Sequence, residues 1–286
     1  MNMTMTDLDA HRPRDILLAT DLGPRSDRAL DRALLLAQAW QARLLALTVL
    51  EPGGQGDLQA ARQRAERRLR ADLDGSDLPL TARVAQGPVV DTVLQVAESE
   101  DSGLIVTGVA RHEALSRVVL GSSVDALARR APRPLLVVRE RARKPYQRVL
   151  VSTDFSPVSH HALETAAAWF PAAQFTLFHA FGNPYPALAG MDAAQARNAG
   201  HAQAEREAQG FLPTAQLPDA VRAGLRWQFM HGDAGQLLHE HGLAHPADLV
   251  VLGSARRGGV PRLLLGSVAQ RILEQAENDV LVVPAR

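Results

Sequence analysis

The chain has 286 residues, no cysteine, and 31 basic residues against 31 acidic ones. Without cysteine it can hold no disulfide, thiolate zinc site, iron–sulfur cluster or cysteine nucleophile. Balanced charge and only 4 % aromatic residues argue against a nucleic-acid partner, which calls for a basic surface or stacking rings.

Residues 1–14 carry Asp7, Asp9 and Arg12 and no apolar core, so they do not read as a secretory leader. The longest segment without acidic or basic side chains, 165–191, is interrupted by Pro171, Pro184 and Pro186 and does not read as a membrane span. The expected location is the cytoplasm, with no membrane partner.

Apolar strand and amphipathic helix patterns then alternate along the chain. Strands are expected at 15–20, 43–50, 79–86, 103–108 and 134–139. The helix after the first shows 3.6-residue spacing at Leu30, Ala33, Leu34 and Ala37. A charged, proline-containing stretch at 140–146 follows, and the pattern starts again. Strands are expected at 147–153, 174–181, 225–231, 247–253 and 279–284, with a helix carrying Leu163, Ala166, Ala167 and Phe170 after the first of them. A second helix is expected at 192–211, followed by a proline-containing loop at 212–219.

The two halves are one unit written twice. Asp21 and Asp154 follow the first strand of each half, 133 residues apart. From Gly108 to Ser122, seven of fifteen residues match Gly253 to Ser267, now 145 residues apart. The second copy therefore carries a net 12 extra residues, part of them expected in the loop at 212–219. Strands that are apolar throughout are buried on both faces, as in parallel sheets. The expected fold class is α/β, with two similar doubly wound domains, each a five-stranded parallel sheet with helices on both faces. The expected division is 14–139, a linker at 140–146, and 147–286.

In such a sheet, ligands lie beyond the carboxyl ends of the strands where strand order reverses. Asp21 and Asp154 follow the first strand, Gly108 and Gly253 the fourth, and Gly121-Ser122 and Gly266-Ser267 open the next helix. Glycine lets a ligand approach the backbone, serine can cap the helix, and a helix N-terminus suits phosphate. The plainer reading is a glycine that ends a strand and a capped helix with no ligand.

These residues carry a resemblance to the universal stress protein family, in a tandem form that covers the chain from about residue 14 to the end. Its ATP-binding members have Gly, two residues, Gly, nine residues, then Gly-Ser or Gly-Thr. Here the spacing is kept as Gly108, Arg111, Gly121-Ser122 and as Gly253, Arg256, Gly266-Ser267. The second motif glycine is Arg in both copies. The resemblance implies adenine-side contacts at Asp21 and Asp154 and at Val49 and Ala180 on the second strand, with Val268 completing the Gly-Ser segment. It also implies pairing of such domains through the last strand, here as a pseudo-dimer of the two copies, or as a homodimer.

An Arg at the motif position can block the backbone approach or grip phosphate oxygens with its guanidinium fork. Arg117 and Arg262 lie further along the same loops. Gly258 and Gly259 keep the second loop free where the first has Glu113 and Ala114, so the second copy is the expected nucleotide site. The implied ligand is ATP, with magnesium as its accompanying ion. The alternative is a nucleotide-free interaction module with both sites degenerate.

Eight of the ten histidines lie in the second half, but His241 and His245 at helical spacing are followed by Pro246, and no metal site is expected. His179 lies near the expected crevice. No Walker A loop, dinucleotide fingerprint or nucleophile elbow is present. No residue is assigned as general base, and a non-enzymatic stress-response protein is expected.

Overall fold

The computed structural model describes residues 11–23, 26–51, 57–74, 78–109, 121–182, 192–244, 247–254 and 266–286. The chain divides into two compact units, one of Arg12–Pro145 and the other built on Tyr146–Arg286.

In the first unit the order is β1 (Asp15–Ala19), α1 (Ser26–Trp40), β2 (Arg43–Leu50), α2 (Leu58–Leu73), β3 (Leu80–Gln86), α3 (Val89–Ser99), β4 (Leu104–Gly108), α4 (Ser122–Arg130) and β5 (Leu135–Val138). All strand pairs are parallel, in the order β3-β2-β1-β4-β5. The chain moves outward from β1 to β3 and then back across to β4 and β5. Right-handed crossovers in opposite directions put α1 and α2 on one face and α3 and α4 on the other. That burial explains why the strands do not alternate: Ile16, Leu17 and Leu18 are at most 1 % exposed.

The second unit repeats the plan with β6 (Arg148–Ser152), α5 (Pro157–Trp169), β7 (Gln174–Phe181), α6 (Ala193–Phe211), α7 (Asp219–Gly224), β8 (Arg226–His231), α8 (Ala234–Ala244), β9 (Leu249–Ser254), α9 (Ser267–Gln275) and β10 (Asp279–Pro284). Its parallel order is β8-β7-β6-β9-β10. The expected α/β fold with two similar five-stranded parallel arrangements is what the structure has. Between α6 and β8 lie 14 residues, with a 3-10 turn (Leu212–Thr214) and α7, against six between α2 and β3, so part of the second copy's extra length sits there. Arg222 holds this addition together by donating to the carbonyls of Leu212 and Ala215.

Local chemistry sets the element ends. Ser156 N-caps α5 by accepting from Ser159 N at 3.3 Å, with Pro157 as the first helical residue. Within the second unit, the buried Asp279 carboxylate accepts from the Tyr146 hydroxyl at 2.6 Å. The Trp169 indole donates to the His11 carbonyl at 2.9 Å. Gly87 and Gly232 close the third strand of each copy with φ of +150° and +139°, where side-chain-bearing residues are strained.

Two measurements check this account. Gly87→Ala should lower the unfolding free energy by about 1–3 kcal/mol, because its new Cβ would also lie 2.7 Å from Thr92 Oγ1. Gly210→Ala, where a Cβ meets nothing within 4 Å among the described residues, should leave stability unchanged or raise it. The second concerns pH. Burial first, and the Arg286 cation second, hold the His161 imidazole on α5 below the ordinary histidine range, against an opposing pull from Glu164. The folded state thus takes up a proton less readily than the unfolded chain. This contribution is complete above about pH 6.5 and is lost as pH falls through the folded value. Unfolding free energy should decline from about pH 7 to about pH 5, and His161→Gln should flatten that decline. An unchanged slope in the variant would refute the assignment.

Candidate functional site

The strand order reverses between β1 and β4 in the first copy and between β6 and β9 in the second, so each has its crevice beyond those strand ends. Asp21 and Asp154 lie directly after β1 and β6. Both are held by the same device. Thr20 Oγ1 accepts from Leu22 N at 3.0 Å, and Asp21 Oδ1 accepts from Gly23 N at 2.8 Å. Thr153 Oγ1 accepts from Phe155 N at 3.0 Å, and Asp154 Oδ1 accepts from Ser156 N at 3.0 Å. Each Thr and Asp thus caps the N–H two residues ahead. The residue after each Asp is forced to positive φ, 59° at Leu22 and 61° at Phe155. Holding a bulky residue there costs on the order of 1–3 kcal/mol, met by the surrounding hydrogen bonds.

The neighbouring strand clamps this turn. Thr20 N and Thr153 N donate to the carbonyls of Leu47 and Phe178, both at 2.9 Å. One residue on, Thr48 Oγ1 donates to Thr20 O at 3.1 Å, and His179 Nδ1 donates to Thr153 O at 2.8 Å. A carbonyl only accepts, so Nδ1 carries a proton. Val49 and Ala180 come next, at equivalent half-buried positions toward the carboxyl ends of β2 and β7.

Around His179 the second copy has gathered rings that the first lacks. Phe155 lies on His179 with ring centroids 4.3 Å apart, and Phe211 and Trp227 follow at 5.6 and 6.1 Å from Phe155. Partial burial pushes the Asp154 carboxyl up. Hydrogen bonds from the Ser156 hydroxyl and N–H and the Ser159 hydroxyl outweigh this and hold it below the usual carboxylate range. Asp154 is therefore a hydrogen-bond acceptor at neutral pH, suited to amino or hydroxyl groups and not to phosphate.

The motif glycines divide into two kinds. Gly108 ends β4, and Gly253 is the next-to-last residue of β9. A Cβ on Gly253 would lie 2.8 Å from Val158 Cγ1 and 3.0 Å from the Val158 backbone, so the close packing of α5 on β9 requires this glycine. Gly266 is different: it is exposed, its φ and ψ of −58° and 152° suit any residue, and a Cβ there would meet nothing within 4 Å among the described residues. Gly121 has a similar φ and ψ of −60° and 144°.

The expected serine cap is corrected. Gly121 and Gly266 are themselves the N-cap residues, neither makes a side-chain cap bond, and Ser122 and Ser267 are the first helical residues. Without a capping side chain, the first amides of α4 and α9 are not satisfied in that way. Val268, 41 % exposed, stands next to Ser267 at the start of α9. Arg111, Arg117, Arg256 and Arg262 lie outside the described residues, as do Glu113, Ala114, Gly258, Gly259, His245 and Pro246. Among the described residues no group of three or more His, Asp or Glu side chains is arranged to hold a metal ion. No helix among them is long and apolar enough to cross a membrane.

Sequence reading found the Asp and Gly positions but not Thr20, Thr153, Thr48, His179 and Phe155 as parts of one clamp. The doubled Thr-Asp pair was the available signal. Thr48 and His179 share no residue type, and only the strand register aligns them. The clamp can be tested at Thr153, whose buried hydroxyl also lies 3.0 Å from Ser159 Oγ. Thr153→Val keeps the shape but strands the Phe155 N–H and takes one partner from the Ser159 hydroxyl, which keeps its bond to Ser156 O, and should lower the unfolding free energy by about 1–3 kcal/mol in a denaturant titration.

The comparisons with known proteins agree with this architecture. The family model described as the universal stress protein family matches residues 13–139 and 145–284. A universal stress protein of Mycolicibacterium smegmatis is 29 % identical over 269 residues, covering 87 % of this chain and 83 % of its own. One from Mycobacterium tuberculosis is 28 % identical over 235 residues, covering 78 % and 71 %. Among solved structures, a functionally unknown protein from Pseudomonas aeruginosa PAO1 superposes with a TM-score of 0.66 at 21 % identity, covering 96 % of this chain and 93 % of that one. A universal stress protein from Archaeoglobus fulgidus gives 0.66 at 15 % identity, covering 95 % and 98 %. These structures speak for the fold alone. Since the family model matches both repeats over nearly their whole length, the chain belongs to the universal stress protein family.

Proposed function

We propose that this protein is a non-enzymatic stress-response protein that binds an adenine nucleotide, ATP, in at least one copy and preferentially in the second. The observation that carries the reading is Gly266. Neither its backbone conformation nor any neighbour within 4 Å among the described residues requires a glycine there. A bare backbone at a helix N-terminus, beside the strand-order reversal, leaves room for phosphate oxygens to reach amide N–H groups. Asp154, charged at neutral pH, would accept from the amino or hydroxyl groups of the nucleoside. Ala180 and Val268 would contact it, while Gly253 lets α5 pack close enough to shape the crevice. Arg256 would pair with the phosphates, and magnesium would accompany them.

Asp21, Val49, Gly108, Arg111, Gly121 and Ser122 would form the corresponding, weaker site in the first copy. One observation favours the nucleotide-free alternative: Gly253 is already explained by packing against Val158, so its presence needs no ligand.

Calorimetric titration of ATP into the full chain separates the two. Gly266→Glu should weaken ATP binding by at least about tenfold, equivalent to about 1.4 kcal/mol, and shift the unfolding free energy by no more than about 0.5 kcal/mol, as for an exposed site. Absence of any heat of ATP binding to the unaltered chain would establish the interaction-module reading instead.

A further inference from the structure

The turn after β6 also faces the C-terminal end of α6. An open cleft of about 720 Å³ lies there, lined by Asp154, Phe155, His160, Glu207, Phe211 and Thr214, with Ser156, Pro157 and Gly210 between them. Of the candidate nucleotide residues among those described, only Asp154 reaches it. Among the described residues, the corresponding turn of the first copy borders a cavity of about 10 Å³, enough for a water molecule, lined by Leu22, Leu30, Leu69 and Leu73 together with Ser26, Asp27 and Asp72.

The second copy's added segment builds this cleft. Thr214, in the 3-10 turn after α6, donates its hydroxyl to Phe211 O at 2.9 Å and so accepts from His160 Nε2 at 3.1 Å. Glu164 braces the same side, accepting from Gln216 N at 2.8 Å, with His160 Nδ1 3.6 Å away. The floor is aromatic: Phe211 packs edge-on against Phe155 at 5.6 Å and against His160 at 5.1 Å.

Charge names the occupant. Among the described lining residues there are two carboxylates and no lysine or arginine, in a chain with as many basic as acidic residues overall. Asp154 stays ionised at neutral pH, and Glu207 stands exposed on the α6 wall, accepting from Gln203 Nε2 at 2.7 Å. A carboxylate has about four acceptor positions, so each can receive further donors. Aromatic faces beside carboxylates attract an ammonium group and cover its carbon chain. The volume falls within the usual range for small-molecule sites. An anion would meet two like charges, and a bare metal ion would find rings where it needs oxygen ligands.

We propose that this cleft is a binding site for organic ammonium compounds of polyamine type, adjoining the nucleotide crevice at Asp154. The test is calorimetric titration of spermidine into the full chain at fixed ionic strength, with magnesium chloride as the comparison cation. Saturable binding of spermidine but not of magnesium is expected. Glu207→Gln should weaken it by about tenfold, and Phe155→Leu, which installs the residue the first copy carries at the same positive φ, by about threefold to tenfold. Glu205→Gln, on the same helix but outside the cleft, should leave it unchanged.

ATP affinity should be insensitive to Glu207→Gln, and spermidine affinity insensitive to Gly266→Glu, so either reading can fail while the other stands. Absence of saturable spermidine binding would overturn the proposal. So would equal binding of magnesium, or equal losses in Glu207→Gln and Glu205→Gln.

Discussion

At the end of the first strand of each copy, two successive side chains bend the backbone, and the sites on both sides of that bend depend on the result. Threonine and aspartate each take the N–H two residues ahead, and a side chain from the next strand holds the threonine carbonyl. The turn stays rigid even with a bulky residue at positive φ after the aspartate. One flank presents the aspartate to the crevice where strand order reverses. The other presents Leu22 or Phe155 to the space beneath the second helix. Rigidity here comes from hydrogen bonds between groups that are close in sequence, so it survives the divergence of everything around it.

That divergence separates the copies chemically. In the first, leucines together with Asp27 and Asp72 leave only a water-sized cavity beside the turn, and Thr48 makes the clamp. In the second, His179 makes the clamp, Phe155 covers it, and an added 3-10 turn and short helix hold Thr214 against His160. A shared frame thus supports a water-sized cavity in one half and an open, acidic, ring-floored cleft in the other.

Much of this was legible in the sequence. The strands are apolar throughout because helices bury both faces, and that pattern survives without any partner being known. The repeats of Asp21 at Asp154 and of Gly108 at Gly253 gave the alignment of the halves, and the strand-end rule gave their place at the crevice. Other features were not legible, for physical reasons. His179 and Thr48 do one job through different atoms, so no residue identity links them. Phe211 approaches Phe155 across a helix whose length and connector differ between the copies. The reason for a glycine was also hidden: Gly253 and Gly266 look alike in a motif, but one is packed against Val158 and the other touches no described neighbour that would require a glycine.

Those two glycines would respond differently to the loss of a ligand. A lineage that stopped binding anything in its second copy would still be held to glycine at Gly253, because the helix beside it has no room to retreat. Gly266 would be free to drift toward any residue. A motif that counts both equally therefore mixes a record of architecture with a record of use, and within this fold the glycine that opens α9 is the more informative of the two.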